Sequence, residues 1–134
     1  MKRFKSKIVL FVLGALGYGT LEMLWRGRTH WSMLGAGGAS FVFFADIGTH
    51  LQKRCLIFKA FLGSCFITGI EFFLGVIFNI FLKRNVWDYS KMPLNLLGQI
   101  CLPFSIIWAF LSLLFIPIAT KINKKLIKFD SEVT

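Results

Sequence analysis

Residues 56–82, LIFKAFLGSCFITGIEFFLGVIFNIFL, form the longest apolar run of the chain and contain only two charged residues, Lys59 and Glu71. A helix needs about 20 apolar residues to cross the hydrocarbon core of a bilayer. Three further runs approach that length, at about residues 8–25, 31–51 and 97–118. The sequence therefore predicts an all-α integral membrane protein: a four-transmembrane-helix bundle that forms a single domain over residues 1–134.

The composition excludes several classes of soluble protein. Hydrophobic residues make up 56% of the 134 residues and charged residues 16%, and the mean hydropathy is +0.69. So short a chain has too little interior to hide that much apolar surface from water. A soluble globular enzyme, a disordered tail and a disulfide-stapled secreted module are therefore excluded. Cys55, Cys65 and Cys101 form no CxxC pair, and the sequence predicts neither a metal site nor a cofactor.

The formal net charge of +10 predicts how the chain is oriented. Most Lys and Arg residues lie in three places: a basic tail at 1–7, residues 53–59, and a second basic tail at 119–134. The positive-inside rule places these regions, and hence both termini, in the cytoplasm. No small-residue cleavage site precedes Glu22, so the first run is expected to be an uncleaved helix rather than a signal peptide. The positive charge is expected to attract anionic lipids, and no signature of nucleic-acid binding accompanies it.

Two polar, aromatic-rich stretches fall between the predicted helices. They are Trp25–Trp31, with the sequence WRGRTHW, and Asn85–Ser90, with the sequence NVWDYS. The first follows the first helix and the second follows the third helix. Whichever way the bundle faces, an even number of spans places both stretches at the same membrane face, which the charge distribution predicts to be the non-cytoplasmic one.

Ionisable residues inside the predicted spans are candidates for function, because a charge at the centre of a membrane helix costs about 2.5–3.5 kcal/mol on insertion scales. Glu71 falls near mid-bilayer and has no neighbour in sequence that neutralises it. Glu22 and Arg26 share a helix face at i,i+4 spacing. They form either a helix-end ion pair or an anchored guanidinium that presents its donors to a phosphate or carboxylate. Asp46 and His50, also at i,i+4, form either a proton relay or a hydrated helix end.

Small residues are concentrated in the first two spans. Ala15 to Gly19 and Gly35 to Ala39 both have the small-xxx-small spacing that allows helix backbones to approach closely in a membrane. This spacing indicates either contact between helices one and two of the same molecule or a seam between two copies.

Residues 85–103 carry a longer motif. The run WDYSKMPLNLLGQICL, residues 87–102, resembles the WDYS-x-x-P-x-N-x-x-G-x-I-C-L signature of the ABC-transporter type IV (CmpB-like) membrane proteins. The LE-x-x-WRG run at residues 21–27 is similar to that of the short clostridial and related Firmicutes members, and Glu71 matches the glutamate of their third hydrophobic segment. The resemblance implies an all-helical membrane protein with a role in transport. The chain contains no GxxxxGK[ST] P-loop, so it is not the ATPase half of a transporter.

The leading hypothesis is therefore a small transporter, permease or transport-associated subunit with a polar substrate-binding site near the non-cytoplasmic face. The residues expected to line that site are Glu22, Arg26, Arg28, His30, Glu71, Asp88, Tyr89 and Asn95. The expected partners are membrane lipids, together with further copies of the chain or other membrane subunits.

Two other hypotheses remain open. One is a membrane enzyme that acts on lipid or lipid-linked phosphate groups through His30, Asp88 and Glu22. No recognised catalytic motif supports it, so no catalytic residue is assigned. The other is a structural or regulatory protein that binds another membrane protein through its glycine-rich helix faces.

Overall fold

The computed structural model describes residues 2–133 and is predominantly helical. The elements, in chain order, are α1 (Lys2–Arg26), α2 (Trp31–His50), α3 (Leu56–Gly75), a π-helical turn (Val76–Phe81), β1 (Asn95–Leu96), β2 (Ile100–Cys101) and α4 (Leu102–Val133). The two short strands pair antiparallel, with Asn95 opposite Cys101 and Leu96 opposite Ile100. The predicted helical fold is thus confirmed, with a small hairpin that the sequence did not predict.

Three helical stretches are long and apolar enough to cross a membrane: Phe4–Arg26, Leu56–Phe81 and Leu102–Phe129. The 20-residue α2 is not among them. It is rich in Gly, Ala and Ser and also contains Asp46 and, at its last position, His50, and these residues lower its hydropathy. Length and composition therefore support three of the four predicted spans.

The helix ends differ from the predicted boundaries at both termini of the chain. The basic residues from Lys2 to Lys7 belong to α1, and α4 continues from residue 119 to Val133, so the described parts of both predicted tails are helical. Met1 and Thr134 lie outside the described residues. The fourth helix starts at Leu102 instead of residue 97, because the chain first turns through left-handed backbone conformations at Leu94, Leu97 and Gly98, with φ of 55°, 55° and 73°.

The second helix contacts each of the other three helices, α1, α3 and α4. Its contact with α1 depends on glycine. A Cβ added to Gly14 would collide with Phe41 and lie 2.6 Å from the carbonyl oxygen of Gly37. A Cβ on Gly38 would lie 2.7 Å from the carbonyl oxygen of Phe11. The small residues of the first two helices therefore pack against each other within one molecule.

At one end of the bundle, α1 and α4 close against each other. Leu10 of α1 and Ile116 of α4 belong to one buried apolar cluster that also contains Phe44 of α2. Ser6 Oγ donates a hydrogen bond of 2.7 Å to Asn123 Oδ1, and both residues are buried. This contact holds the basic ends of the two helices together.

At the other end, the segment between α3 and α4 folds back onto the helices. Val86 and Trp87 are buried with Met33, and Tyr18 and Phe78 pack against them. This places the NVWDYS stretch beside the end of α1 and the start of α2, where the WRGRTHW stretch lies. The two polar stretches are therefore at the same end of the bundle, as the sequence predicted.

Candidate functional site

The ion pair predicted between Glu22 and Arg26 is present, and it is joined to the second polar stretch. Glu22 is 4% exposed, and Arg26 Nη1 lies 3.8 Å from its Oε1. Arg26 Nη2 also donates a hydrogen bond to the carbonyl oxygen of Val86. Arg26 thus links the end of α1 to the NVWDYS stretch. Glu22 Oε1 is buried without a hydrogen-bond partner among the described residues.

Glu71 lies at the meeting point of α3, α4 and the NVWDYS stretch. Its side chain is 3% exposed. Oε2 accepts a hydrogen bond of 3.0 Å from Tyr89 Oη, and Oε1 accepts one of 3.4 Å from Trp108 Nε1. Because both oxygens have a donor, the cost of burying this carboxyl group is reduced. The Tyr89 ring is fixed in turn by stacking on Phe104, with ring centroids 4.7 Å apart.

Tyr18 of α1 lies four residues before Glu22 and lines the same cavity as Glu71. Its ring centroid is 6.2 Å from that of Trp108. We call the whole group the acid–aromatic cluster and define it as Tyr18, Glu22, Arg26, Glu71, Tyr89 and Trp108. It joins α1, α3, α4 and the NVWDYS stretch.

The structure thus brings together four of the predicted site residues, Glu22, Arg26, Glu71 and Tyr89, and adds two that were not predicted. Tyr18 precedes Glu22 by four residues, so the i,i+4 spacing that paired Glu22 with Arg26 was a usable signal for Tyr18 as well. Trp108 stands in an apolar run, and nothing in the local sequence separates it from a packing residue.

Asp88 and Asn95 are exposed, and their hydrogen bonds stabilise the turns of the loop itself. Asp88 Oδ1 accepts a 2.9 Å hydrogen bond from the backbone N–H of Ser90, and this bond holds the pKa of the Asp88 carboxyl below its usual range. Asn95 Nδ2 donates to the carbonyl of Met92, and its Oδ1 accepts from the N–H of Gly98. Arg28 is also exposed. None of these three contacts the acid–aromatic cluster through a hydrogen bond or ion pair found among the described residues.

His30 begins α2. Its Nδ1 accepts a hydrogen bond of 3.2 Å from the backbone N–H of Ser32 and lies 2.7 Å from the Ser32 hydroxyl oxygen. The imidazole also packs edge-on against Phe78, with centroids 5.3 Å apart. In this position His30 caps the helix and joins its start to the end of the third span.

A network of amide groups fastens the loop between α3 and α4. Asn79 Nδ2 donates to Gln99 Oε1 at 2.9 Å, while Asn79 Oδ1 accepts from the N–H of Val86 at 2.7 Å. Trp87 Nε1 donates to the backbone carbonyl of Gln99 at 2.9 Å. Gly75 gives this network room, because a Cβ there would lie 2.6 Å from Gln99 Oε1. Neither Asn79 nor Gln99 was predicted as a site residue, although each is a polar amide flanked by apolar residues.

A cleft of about 430 Å³ extends from the acid–aromatic cluster toward the middle of the bundle. We call it the α1–α4 cleft, since Gly17 and Tyr18 of α1 and Trp108 and Phe115 of α4 form two of its walls. Of the described residues that line it, Glu71 is the one with a carboxyl group, and none is Lys, Arg or His.

The Asp46 and His50 pair lies away from this site, and its geometry matches a hydrated helix end. His50 Nδ1 lies 2.9 Å from the backbone carbonyl oxygen of Asp46, while the Asp46 carboxylate lies 3.8 Å from Lys7 Nζ. In the described part of the chain, no group of three or more His, Cys, Asp or Glu side chains is placed to bind a metal ion.

Residues 30–134 match the family described as "Putative ABC-transporter type IV". The matched region includes Glu71, Tyr89 and Trp108 and begins after Glu22 and Arg26. No curated protein and no solved structure matches the chain. Because the match covers most of the sequence, and agrees with the resemblance carried by the WDYS motif, the chain belongs to the ABC-transporter type IV family.

Proposed function

We propose that this protein is a multi-pass protein of the cell membrane that acts in transport, as a small transporter or a transport-associated subunit. The acid–aromatic cluster is its substrate site. Family membership and the membrane-compatible helices support a role in membrane transport. The observation on which the site proposal rests is the burial of two acids from different helices, Glu22 and Glu71, under one loop. Buried ionisable groups in membrane proteins mark substrate and ion pathways.

The proposed arrangement has four spans, with both termini in the cytoplasm. Its 20 residues give α2 a length of about 30 Å at 1.5 Å per residue, which equals the thickness of the hydrocarbon core. Since α2 contacts all three other helices, its small and polar residues are largely shielded from lipid, and a lower hydropathy is tolerated. The basic residues of α1, the α2–α3 turn and α4 then share the cytoplasmic face, and the acid–aromatic cluster lies toward the opposite face.

The proposed partners are membrane lipids and either further copies of this chain or other membrane subunits. Large apolar side chains are exposed along α3, among them Ile57, Phe61 and Phe73. In a bilayer this face meets either lipid or another helix, and a bundle of only four helices offers few internal surfaces for a transport path. Association is therefore part of the proposal.

The test asks whether variants of the protein restore the phenotype of cells from which the gene has been deleted. Glu71→Gln keeps the size of the side chain and an acceptor for Trp108 but removes the charge, and Glu22→Gln does the same on α1. We expect both variants to reach the membrane at normal levels and to lose complementation. Asp46→Asn is the matched control, because it neutralises an acid at the other end of the bundle. Full complementation by both cluster variants would defeat the proposal.

A further inference from the structure

The α1–α4 cleft is open along the side of the bundle. Its rim includes Leu13 and Leu21 of α1 and Ile118 of α4, which are each 41–43% exposed. These exposed side chains face outward from the helices. In a bilayer they meet acyl chains, so the cleft is reached from the lipid by molecules that already partition into the membrane. Its volume lies within the range of about 300–1,000 Å³ found for small-molecule sites.

The charge in and above the cleft favours a cation. Glu71 lines the cleft, and no basic residue does so among the described lining residues. The adjoining cluster contains two carboxyl groups and one guanidinium, and the guanidinium is paired with Glu22. That guanidinium, of Arg26, is already hydrogen-bonded to the carbonyl of Val86. The buried Glu22 Oε1 has no hydrogen-bond partner in the described chain. An anion would be repelled by this arrangement, whereas a cation would stabilise the ionised form of the Glu71 carboxyl group.

The hydrogen bonds and rings at Glu71 indicate what kind of cation fits. Tyr89 and Trp108 each occupy one acceptor position of the Glu71 carboxyl group, which leaves fewer positions for the three N–H donors of a primary ammonium. Two aromatic side chains, Tyr18 and Trp108, line the cleft beside it. A diffuse positive charge needs no directional bond, and aromatic faces within about 6 Å attract it.

The cleft has room for a bulky group at Gly17. A Cβ added there would meet nothing within 4 Å. We propose that the α1–α4 cleft binds hydrophobic organic cations of the quaternary ammonium or phosphonium class, which enter from the membrane and place their charge beside Glu71. The inference rests on the proposed function in taking the acid–aromatic cluster as the substrate site, and it adds the chemical class of the substrate.

The test measures saturable binding of radiolabelled tetraphenylphosphonium to the purified full-length protein in dodecyl maltoside. Tetraphenylborate is the matched probe, since it has nearly the same shape and the opposite charge. We expect tetraphenylphosphonium to bind at least tenfold more tightly than tetraphenylborate. Glu71→Gln should weaken the binding of the cation about tenfold or more, whereas Asp46→Asn should leave it unchanged.

A steric block tests the location independently of charge. Gly17→Leu places a side chain in the cleft and should abolish cation binding. Gly69→Leu is its matched control, because a Cβ on this α3 glycine also meets nothing within 4 Å and the residue does not line the cleft. Melting temperatures and elution profiles identify variants that still fold. If Glu71→Gln fails to fold, Gly17→Leu still tests the site.

Equal affinity for the two ions, or unchanged binding in a folded Gly17→Leu variant, would overturn the inference and indicate a cleft filled by neutral lipid chains. The proposed function is distinguished by complementation. Loss of complementation in Glu71→Gln without cation binding in the wild type overturns the ligand class alone. Cation binding together with full complementation by Glu71→Gln and Glu22→Gln upholds the site in the cleft and overturns the transport role of the cluster.

Discussion

At the scale of single residues, the hydroxyl group of Tyr89 is the clearest link between the loop and the interior of the bundle. It donates to Glu71 Oε2, while Trp108 donates to the other oxygen. A carboxyl group buried to 3% exposure depends on such donors, because water is excluded from it. The loop therefore connects α3 to α4 and also supplies one of the two hydrogen-bond donors to the Glu71 carboxyl group.

Tyr89→Phe removes this donor without changing the shape of the ring. We expect the free energy of unfolding to fall by about 1–3 kcal/mol, because a buried acceptor loses its partner. Thermal unfolding of the detergent-solubilised protein measures the change. Thr20→Val is the control, since its exposed hydroxyl bonds only the carbonyl of Leu16 in its own helix. An equal effect of the two substitutions would show that the Tyr89–Glu71 bond has no special importance.

The sequence predicted the acids of the cluster better than it predicted its aromatic members. Glu22 and Glu71 are conspicuous because charge inside an apolar run is costly. Tyr18 and Trp108 are common membrane residues. The i,i+4 spacing relates Tyr18 to Glu22, but only the packing of distant helices brings Tyr18 and Trp108 to Glu71. Asp88 and Asn95 are polar loop residues of a kind that often binds ligands. In the structure, however, their side chains accept hydrogen bonds from backbone N–H groups within the loop.

At the scale of helices and loops, the contact between α1 and α2 is set by individual glycines. Gly38 faces the carbonyl oxygen of Phe11, whereas Gly35, one turn earlier on the same helix, meets nothing within 4 Å of an added Cβ. In the sequence, Gly35 and Gly38 belong to the same small-residue pattern. Only the packed structure shows that Gly38 permits the close approach of α1 and that Gly35 does not.

Gly38→Ala and Gly35→Ala are therefore expected to have opposite effects. Gly38→Ala should destabilise the protein by about 1–3 kcal/mol, because the methyl group overfills the helix contact. Gly35→Ala should be neutral or stabilising by up to about 1 kcal/mol, because alanine favours the helix and the position is open. Thermal unfolding of both variants is the measurement. Destabilisation of equal size in the two would contradict the α1–α2 packing described here.

The loop between α3 and α4 should detach when its amide network is cut. Asn79→Ala leaves the N–H of Val86 and Gln99 Oε1 without their partner. We expect trypsin to cleave the loop faster at Lys83, Arg84 and Lys91. Gln52→Ala, at an exposed amide near the other end of the bundle, is the control. Unchanged cleavage in Asn79→Ala would show that other contacts hold the loop.

The existence and order of the four helices followed from apolar runs, but several boundaries did not. The hairpin before α4 was not predictable, since leucines at positions 94 and 97 adopt a left-handed backbone that their residue type disfavours. The helical continuation of α4 past residue 118 was also missed. Its polar composition suggested a tail, whereas Ala119 and Asn123 are buried against the rest of the bundle.

At the scale of the whole molecule, the account depends on both polar stretches lying at one membrane face above the acid–aromatic cluster. The structure joins them through the bond from Arg26 to Val86. His30 of the first stretch also contacts Phe78 in the π-helical turn that precedes the second stretch. If α2 crosses the bilayer as proposed, this joined end is non-cytoplasmic, and the basic ends of α1 and α4 lie in the cytoplasm.

Labelling of single cysteines in intact cells tests this claim most directly. Arg28→Cys, Asp88→Cys and Gln52→Cys are placed one at a time in a chain whose own three cysteines are replaced by serine or alanine, and a membrane-impermeant maleimide is added outside. We expect the cysteines at positions 28 and 88 to be labelled in intact cells, and the cysteine at position 52 to be labelled only after permeabilisation. Labelling of 28 and 88 from opposite sides, or of 52 from outside, would contradict it.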